Sequence, residues 1–359
     1  FPPKWRHLCP AAPGTEVTAP VNLIDLPPTL LSLADMSAPP HMQGRAFMGR
    51  YAKSSAPFAF GMRNRMDERY DFVRTVTDGR YRYIRNYMPH RIWGMRGDFE
   101  WMLKSYQSWD EKRLAGELNP QQSRFFQTKP FEELYDIAAD PDQLSNLAEQ
   151  RGQQARMRSM RAALAAHMLR IRDNGFIPEG TPAEGYHASR DEAVYPLKRI
   201  MALGQAAARS ERRKLGLFRH GLTDRNPIVR HWSAMGLLIL KAKAAPARDA
   251  LSAMARSDEW PANRVVAAEA LCHVGALPEG AAVLASIATS NLDFPARLMA
   301  LNALDSVDAA ARLALPAIKQ VSDETNEYLV RAARPLVARI EGTYRPDISY
   351  GRGTTARTG

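Results

Sequence analysis

The chain has 359 residues, 45% of them hydrophobic and 24% charged, which is the composition of a globular protein with two or three domains. No stretch approaches the roughly 18 uninterrupted apolar residues of a membrane-spanning helix, so a membrane span is excluded. The formal net charge of +11 favours acidic partners such as sulfated sugars. Because the charges are scattered and form no recognition motif, we expect no nucleic acid partner.

The cysteines and the N-terminus constrain the fold little. Cys9 and Cys272 lie far apart in the sequence, match neither a disulfide framework nor a zinc spacing, and are interpreted as ordinary thiols. The chain begins Phe1-Pro2-Pro3 without Met, a basic region or an apolar region. We therefore expect a cut end from which any targeting signal has been lost.

The first elements follow a Pro-rich lead-in over residues 1–20. Residues 21–25 are typical of a short strand or turn, Asp25 is placed to cap a helix, and Pro27 and Pro28 suit its first turn. The pattern predicts a helix that directs its leucines toward a core, namely Leu30, Leu31 and Leu33.

The stretch 61–88 combines a predicted hairpin with many charges. Aromatic and β-branched residues over 72–76 and 81–87 flank Asp78-Gly79, a strong signal for a tight turn between two strands. The residues before it, 63–71, are predicted to enter the sheet as a charged loop.

The next segments are less regular. Residues 91–131 are predicted to form an irregular excursion with short helices, such as one over 110–117. Residues 134–137 predict an edge strand, followed by a turn at Asp140-Pro141 and a helix from about Gln153 to Arg172. That helix has an apolar face containing Met157, Met160, Leu164 and Met168, and His167 is interpreted as a structural residue at the edge of the core.

A period of 33 to 34 residues marks the second half of the chain. Arg230, Arg264, Arg297 and Arg331 recur at this spacing, each with an apolar or small residue seven positions later, namely Leu237, Leu271, Leu304 and Ala338. An Asp precedes each arginine and is suited to capping a helix or pairing with an arginine of a neighbouring repeat: Asp224, Asp258, Asp293 and Asp323. The period predicts about four helix-turn-helix units stacked as an α-solenoid similar to HEAT or armadillo repeats, whereas an ordinary helical bundle would not explain the register.

Three segments resemble the C-terminal part of sulfatases of the alkaline-phosphatase-like superfamily. They are VNLIDLPPTLLSLADMSAPPHMQGRAF (21–47), DGRYRYIRNYMPH (78–90) and EELYDIAADPDQLSNLAEQ (132–150), in the family's order and spacing. The predicted class is an α+β sulfatase C-terminal subdomain, with a small antiparallel sheet and a packing helix, followed by an all-α solenoid. The predicted domains are residues 1–180 for the sulfatase-like portion, 181–194 for a linker, 195–341 for the solenoid and 342–359 for a disordered tail.

The resemblance implies hydrolysis of sulfate esters or N-sulfates, usually with Ca²⁺ and a formylglycine made from the Cys or Ser of a C/S-x-P-x-R motif. The chain contains no such motif, and neither Cys9-Pro10-Ala11 nor Cys272-His273-Val274 matches it. No paired Asp or Asp-His-Gly metal cluster is visible either. We therefore expect a C-terminal fragment that is inactive alone, with the catalytic residues, Ca²⁺ and formylglycine in a preceding part. The resemblance also implies a periplasmic or extracellular location.

The residues that the resemblance makes candidates for substrate binding lie in and after the charged loop: Arg63, Asn64, Arg65, Glu68, Arg69 and, as a weaker candidate, His90. Arg91 is a further weaker candidate. Arginine forks match sulfate or carboxylate oxygens, and Asn and Glu suit sugar hydroxyls. The alternative is that the charges pair among themselves, as Arg69 with Asp71 or Glu68 with Arg65.

Two functions remain open at this point. The first is a sulfatase acting on sulfated glycans. The second is a non-catalytic protein whose solenoid and small α+β module bind a protein partner or a sulfated polymer. The extended surface of such repeats also suits self-association.

Overall fold

The computed structural model describes residues 2–9 and 11–351, and the chain divides into two units. Within the described residues, unit 1 comprises Phe1–Met62, Arg74–Arg85 and Glu132–His167, and unit 2 comprises Arg63–Val73, Asn86–Phe131 and Met168–Gly359. This division differs from the predicted boundary near residue 180, because segments 63–73 and 86–131 belong to the same unit as the helical region.

Four strands form the sheet: β1 (Ala59–Met66), β2 (Arg69–Thr77), β3 (Tyr81–Asn86) and β4 (Glu132–Asp136), in the order β1-β2-β3-β4. The predicted turn is confirmed, since Gly79 has φ +98° and the Asp78 carboxylate accepts the backbone N–H groups of Arg80 and Tyr81 at 3.0 and 2.7 Å. The predicted edge strand is β4, which pairs antiparallel with β3 from Tyr81↔Asp136 to Arg85↔Glu132.

The predicted charged loop over 63–71 is wrong. Residues 63–66 continue β1, Asp67 and Glu68 form a tight turn, and Arg69 begins β2. Asp67 adopts a left-handed conformation with φ +45°, which a short Asp side chain tolerates in a turn. Asp-Glu lacks the Gly that usually marks a hairpin, so the local signal for this turn is weak.

The helix α1 (Leu26–Leu33) has its prolines in the first turn, as predicted, but the predicted leucine face is wrong. Leu30 is 66% exposed, and the buried residues are Pro28, Thr29 and Ser32. The hydroxyl of Ser32 accepts the backbone N–H of Tyr51 at 2.9 Å, so the buried face is a hydrogen-bonding one. Of the predicted short strand or turn over residues 21–25, the structure has the turn, a 3₁₀ turn at Leu23–Asp25.

The helix α4 (Gln154–Ile171) confirms the helix predicted over Gln153 to Arg172. Met157, Met160 and Leu164 are at most 1% exposed, because they share the apolar face of the helix. His167 stacks on Phe60 with ring centroids 3.7 Å apart, which agrees with its predicted structural role. Before α4, the chain places α2 (Lys104–Leu114), which begins earlier than the predicted helix over 110–117, and α3 (Pro120–Ser123).

The remaining helices follow in chain order: α5 (Leu197–Ala208), α6 (Leu215–Gly221), α7 (Pro227–Leu240), α8 (Arg248–Ser257), α9 (Pro261–His273), α10 (Leu277–Ala288), α11 (Phe294–Ser306), α12 (Asp308–Leu313), α13 (Leu315–Ser322) and α14 (Glu327–Glu341). Helices α7, α9, α11 and α14 contact one another in this order. None of the described helices is long and apolar enough to cross a membrane.

The four periodic arginines all lie near the start of these contacting helices. The predicted apolar positions are packed, with Leu237, Leu271 and Leu304 fully buried. Arg230 pairs with Asp258 at 2.7 Å, as predicted for an Asp of a neighbouring repeat. The caps of α7 and α14 are instead the side chains of Asn226 and Asn326. A small sheet and many helices are thus present, and the assignment of the helices to a solenoid stays a prediction.

The predicted linker and tail both make specific contacts within unit 2. In the predicted linker, residues 181–194, Ala183 and Ser189 are buried, and the Thr181 hydroxyl donates to the Pro178 carbonyl at 2.7 Å. In the tail, residues 343–351 are not disordered as predicted. The Tyr344 hydroxyl donates to Asp110 at 2.6 Å, and the backbone N–H groups of Tyr350 and Gly351 donate to Asp98. The rest of the predicted tail, residues 352–359, lies outside the described residues.

Candidate functional site

A cavity of about 330 Å³ lies within unit 2. Its walls come from β1 and β2, the segment 86–131, the segment 175–179 and helices α7, α9, α11 and α14. We call it the arginine cavity, after the six arginines that line it: Arg65, Arg69, Arg91, Arg96, Arg113 and Arg339.

One wall of the arginine cavity is aromatic. Phe72, Phe176 and Trp232 are all at most 3% exposed, and the ring of Phe176 lies edge-on to Phe72 at 4.7 Å and to Trp232 at 5.3 Å. The indole N–H of Trp232 donates to the Phe176 carbonyl at 2.9 Å. A Cβ on Gly204 would lie 2.8 Å from the Phe176 ring, so this wall requires glycine there.

Arg69 is the most enclosed cation of the cavity, with its side chain 4% exposed. One terminal nitrogen donates to Asn302 at 2.8 Å and to Asp305 at 2.7 Å, and Nε donates to the Arg96 carbonyl. Burial by itself would raise the pKa of Asp305, but the charges of Arg339 and Arg69 outweigh it and hold the pKa below its ordinary value. The other terminal nitrogen of Arg69 is buried without a hydrogen-bond partner among the described residues.

Arg91 makes a bidentate pair with Glu269, with N···O distances of 2.6 and 2.7 Å. It also donates to the Ser306 hydroxyl. Since Arg69 and Arg91 both bond to the segment 302–306 of α11, their guanidinium groups approach the same turn of this helix.

His90 lines the same cavity, and both its ring nitrogens are buried without a hydrogen-bond partner in the described part of the chain. Desolvation, followed by the charges of Arg91, Lys129, Lys241 and His273, lowers the pKa of His90 well below its ordinary value. The ring is therefore neutral at pH 7 and offers one N–H donor and one acceptor nitrogen.

Arg65 and Arg96 also contribute polar groups to the cavity lining. The Nε of Arg65 donates to Glu179 at 2.6 Å, and this pair is partly exposed. Arg96 pairs with Asp98 at 3.2 Å and lies over the Tyr350 ring at 4.9 Å. Its Nε is buried and has no hydrogen-bond partner within residues 2–9 and 11–351.

The balance of charge in the cavity is positive. Against six arginines, four carboxylates line it, namely Asp110, Glu179, Glu269 and Asp305. The second lining histidine, His231, is neutral as well, because burial lowers its pKa to about 4. A cavity with excess arginine favours an anionic ligand.

The structure brings some of the sequence-predicted residues together. Arg65 and Arg69 line the cavity, as do the weaker candidates His90 and Arg91. The pairs that the sequence offered as the alternative are replaced by others: Arg69 pairs with Asp305, and Arg65 with Glu179.

Three predicted residues are absent from the cavity lining, and two of them have clear local roles. Glu68 is fully buried and accepts the backbone N–H of Asp98 at 2.6 Å, and burial raises the pKa of its carboxyl group. Asn64 donates to the Tyr70 hydroxyl at 3.2 Å. The third, Arg63, lies on β1. The part of all six in substrate binding stays a prediction.

The residues that the helices contribute to the cavity were not predicted from the sequence. Its residues are Trp232, Met235, Val266, Glu269, Met299 and Asn302. They stand two and five positions after the periodic arginines Arg230, Arg264 and Arg297. The polar residues Glu269 and Asn302 stand at the same repeat position, Glu269 between two alanines and Asn302 between a leucine and an alanine, and this signal was available in the sequence.

Three or more His, Cys, Asp or Glu residues arranged to hold a metal ion do not occur among the residues that the structure describes. No family model matches the chain. The chain is similar to the ulvan-active sulfatase of Formosa agariphila, with 32% identity over 160 residues. The match covers 44% of this chain and 27% of that protein, so the chain contains a sulfatase-related region and spans about a quarter of its relative.

Proposed function

We propose that this chain serves the hydrolysis of sulfate esters or N-sulfate groups on sulfated glycans, as part of a sulfatase. The observation that carries this proposal is the 32% identity to an ulvan-active sulfatase. Ulvan, named as the relative's substrate, is the first polymer to test. A secreted location, periplasmic or extracellular, is part of the same proposal.

The chain's own residues do not fit the catalytic centre of a sulfatase. The 359 residues contain no C/S-x-P-x-R motif from which a formylglycine could be made. Formylglycine and Ca²⁺ would therefore be held by residues outside this chain, and no catalytic step is assigned to any residue here. We expect the 359-residue chain alone to release no sulfate.

The role proposed for this chain is to bind and orient the substrate. Arg65 is the best placed of the sequence candidates, because it lines the cavity and its side chain is 22% exposed. Its guanidinium presents a fork of donors that suits sulfate oxygens. Arg69 and His90 lie deeper and would contact a group that enters the cavity.

Sulfate release by a longer protein that contains this chain, measured by ion chromatography, tests the proposal. Arg65→Ala should raise KM for a sulfated oligosaccharide about tenfold, the loss of one charge-assisted contact, while kcat changes little. A small aryl sulfate should show a smaller change, since it lacks the neighbouring sugar.

Arg219→Ala is the matched control, because this arginine is exposed on α6 and does not line the arginine cavity. Equal effects of Arg65→Ala on both substrates would remove the substrate-binding role. A longer protein that carries the formylglycine motif and yet releases no sulfate would favour the alternative, a non-catalytic binding protein. Turnover by the 359-residue chain alone would show that the active site is misplaced.

A further inference from the structure

Three helices that begin near the periodic arginines, α7, α9 and α11, line the arginine cavity with the same repeat positions. The residue two positions after each periodic arginine is Trp232 in α7, Val266 in α9 and Met299 in α11, and all three line the cavity. The residues three positions further on, Met235, Glu269 and Asn302, line it too. Positions i and i+3 share one helix face, so one continuous face of the helical region forms a wall of the cavity.

Polar groups without partners also converge on this cavity. One terminal nitrogen of Arg69, the Nε of Arg96 and both ring nitrogens of His90 are buried and have no hydrogen-bond partner among the described residues. All three residues line the cavity, and the side chains of Arg69 and Arg96 are 4% and 6% exposed. Buried donors are almost always paired in native proteins, so these unpaired groups are available to a ligand that enters the cavity.

The aromatic wall of the cavity is apolar, in contrast to these polar groups. Phe72, Phe176 and Trp232 present packed rings, and the apolar face of a sugar or another small ring can lie against such a surface. At about 330 Å³ the cavity is at the small end of ligand pockets, which span roughly 300–1,000 Å³. It therefore suits one ring rather than an oligomer.

We propose that the arginine cavity binds one small anionic ring, held by the unpaired donors of Arg69, Arg96 and His90 and by the aromatic wall. The helical region is then half of a ligand-binding site and not only a surface for a protein partner. The choice of a sulfated sugar as the ligand rests on the proposed function. A uronate sugar offers the same chemistry, because its carboxylate also accepts from arginine and imidazole N–H groups.

Calorimetric titration of the full chain tests this inference without any catalysis. The probes are N-acetylglucosamine 6-sulfate, its unsulfated form, glucuronate and sodium sulfate. One binding site and at least tenfold tighter binding of the sulfated than of the unsulfated sugar are expected. If glucuronate binds as tightly as the sulfated sugar, the cavity site is supported and a carboxylate can serve as its anion. If glucuronate binds more weakly than the sulfated sugar, the cavity site is supported with sulfate as its anion.

Two substitutions should move the affinity in opposite directions. Glu269→Gln removes a carboxylate from the cavity while keeping its shape, and should tighten binding of the sulfated sugar severalfold. His90→Leu removes a donor and should weaken it about tenfold, whereas His90→Gln should restore part of the affinity. The controls are exposed residues of the same types, Glu259→Gln and His220→Leu, which should change nothing.

Should His90→Leu fail to fold, the ¹⁵N resonances of the His90 ring in the unchanged protein give the same information. They should shift on addition of the sulfated sugar and stay fixed with the unsulfated one. Equal affinity for both sugars, sodium sulfate binding as tightly as the sugar sulfate, or an unchanged Glu269→Gln affinity would each overturn the inference.

The outcomes separate this inference from the proposed function. Sulfate release by the longer protein, with no sugar binding by this chain, would overturn the cavity site alone. Sugar binding by this chain, with no sulfate release by a longer protein that carries the formylglycine motif, would overturn the proposed function alone.

Discussion

The charged cluster around Glu132 in unit 1 differs from the arginine cavity in unit 2 in how completely its groups are paired. Glu132 accepts from two nitrogens of Arg161 at 2.7 and 2.6 Å and from the Tyr83 hydroxyl, and Arg85 lies at 3.9 Å. Burial would raise the pKa of Glu132, but the hydrogen bonds from Arg161 and Tyr83 outweigh it and lower the pKa. Both oxygens of the Glu132 carboxylate therefore accept hydrogen bonds.

In the arginine cavity, several charges are paired, but the arginines outnumber the carboxylates and some donors lack partners among the described residues. Arg69 and Arg91 have carboxylate partners, yet nitrogens of Arg69, Arg96 and His90 stay unpaired among the described residues. A cluster whose hydrogen-bonding groups are all paired stabilises the packing of strands and helices. A cluster with unpaired donors can bind a ligand with little rearrangement of its side chains. The comparison thus separates structural charges from candidate binding charges.

The largest effect is expected at the buried pair of Lys129 and Asp71 in unit 2, where both side chains are fully buried. Lys129→Met leaves the Asp71 carboxylate buried without its cation, and the free energy of unfolding should fall by about 3–5 kcal/mol. Urea unfolding followed by circular dichroism measures this loss.

The matched control is Lys112→Met, since Lys112 pairs with Glu117 at the surface, where the side chains are 54% and 60% exposed. Its expected loss is about 0.2–1 kcal/mol. The double variant Lys129→Met/Asp71→Asn should recover part of the loss. Similar losses for the buried and the exposed pair would mean that Lys129 is not the structural cation that its burial indicates.

An intermediate effect is expected at the saturated cluster. Glu132→Gln removes an ionised acceptor of several hydrogen bonds, and should cost about 1–3 kcal/mol of unfolding free energy at pH 7. Because the folded pKa of Glu132 lies below its ordinary value of 4.5, the carboxylate stabilises the fold above pH 4.5. This stabilisation is lost as pH falls through the folded pKa, so the difference between the variant and the original protein should shrink in acid. A difference that does not depend on pH would contradict the charge-based explanation.

The smallest effect, and the opposite pH dependence, is expected at Glu68 in unit 2. Burial raises its pKa above 4.5, so the folded state binds the proton more tightly than the unfolded state does. Its contribution to stability is therefore present in acid and lost as pH rises through the raised pKa. Glu68→Gln should change the unfolding free energy at pH 7 by less than about 1 kcal/mol and flatten its slope between pH 4.5 and 7. A steeper slope in the variant would reverse this assignment.

Several elements of the fold could be predicted from local sequence. The Asp78-Gly79 turn, the strand ending at Asp136 and the apolar face of α4 all follow from residues close together in the chain. The repeat of arginines at 33 to 34 residues also located the start of four helices that contact one another in order. Each of these signals is a turn preference or a periodicity, and both act over a few residues.

Other elements depended on distant partners. The leucine-rich α1 buries Thr29 and Ser32 instead of Leu30, because the residues around Tyr51 offer hydrogen-bond partners to those hydroxyls. The polar tail residue Tyr344 is held by Asp110, which is more than 200 positions away in the chain. Composition alone predicted that the leucines of α1 face a core and that the tail is disordered. These contacts contradict both predictions.

By itself, the sequence determined the Asp78-Gly79 turn, the helix α4 and the period of the helical region, and it predicted a set of charged residues for substrate binding. Only the tertiary structure decided which of those charges are paired and which donors remain. Arg69 lies two residues before Asp71 in the sequence but pairs with Asp305, 236 residues away. The physical reason is that a buried charge must find a partner wherever packing places one, and long-range packing is not encoded in local periodicity.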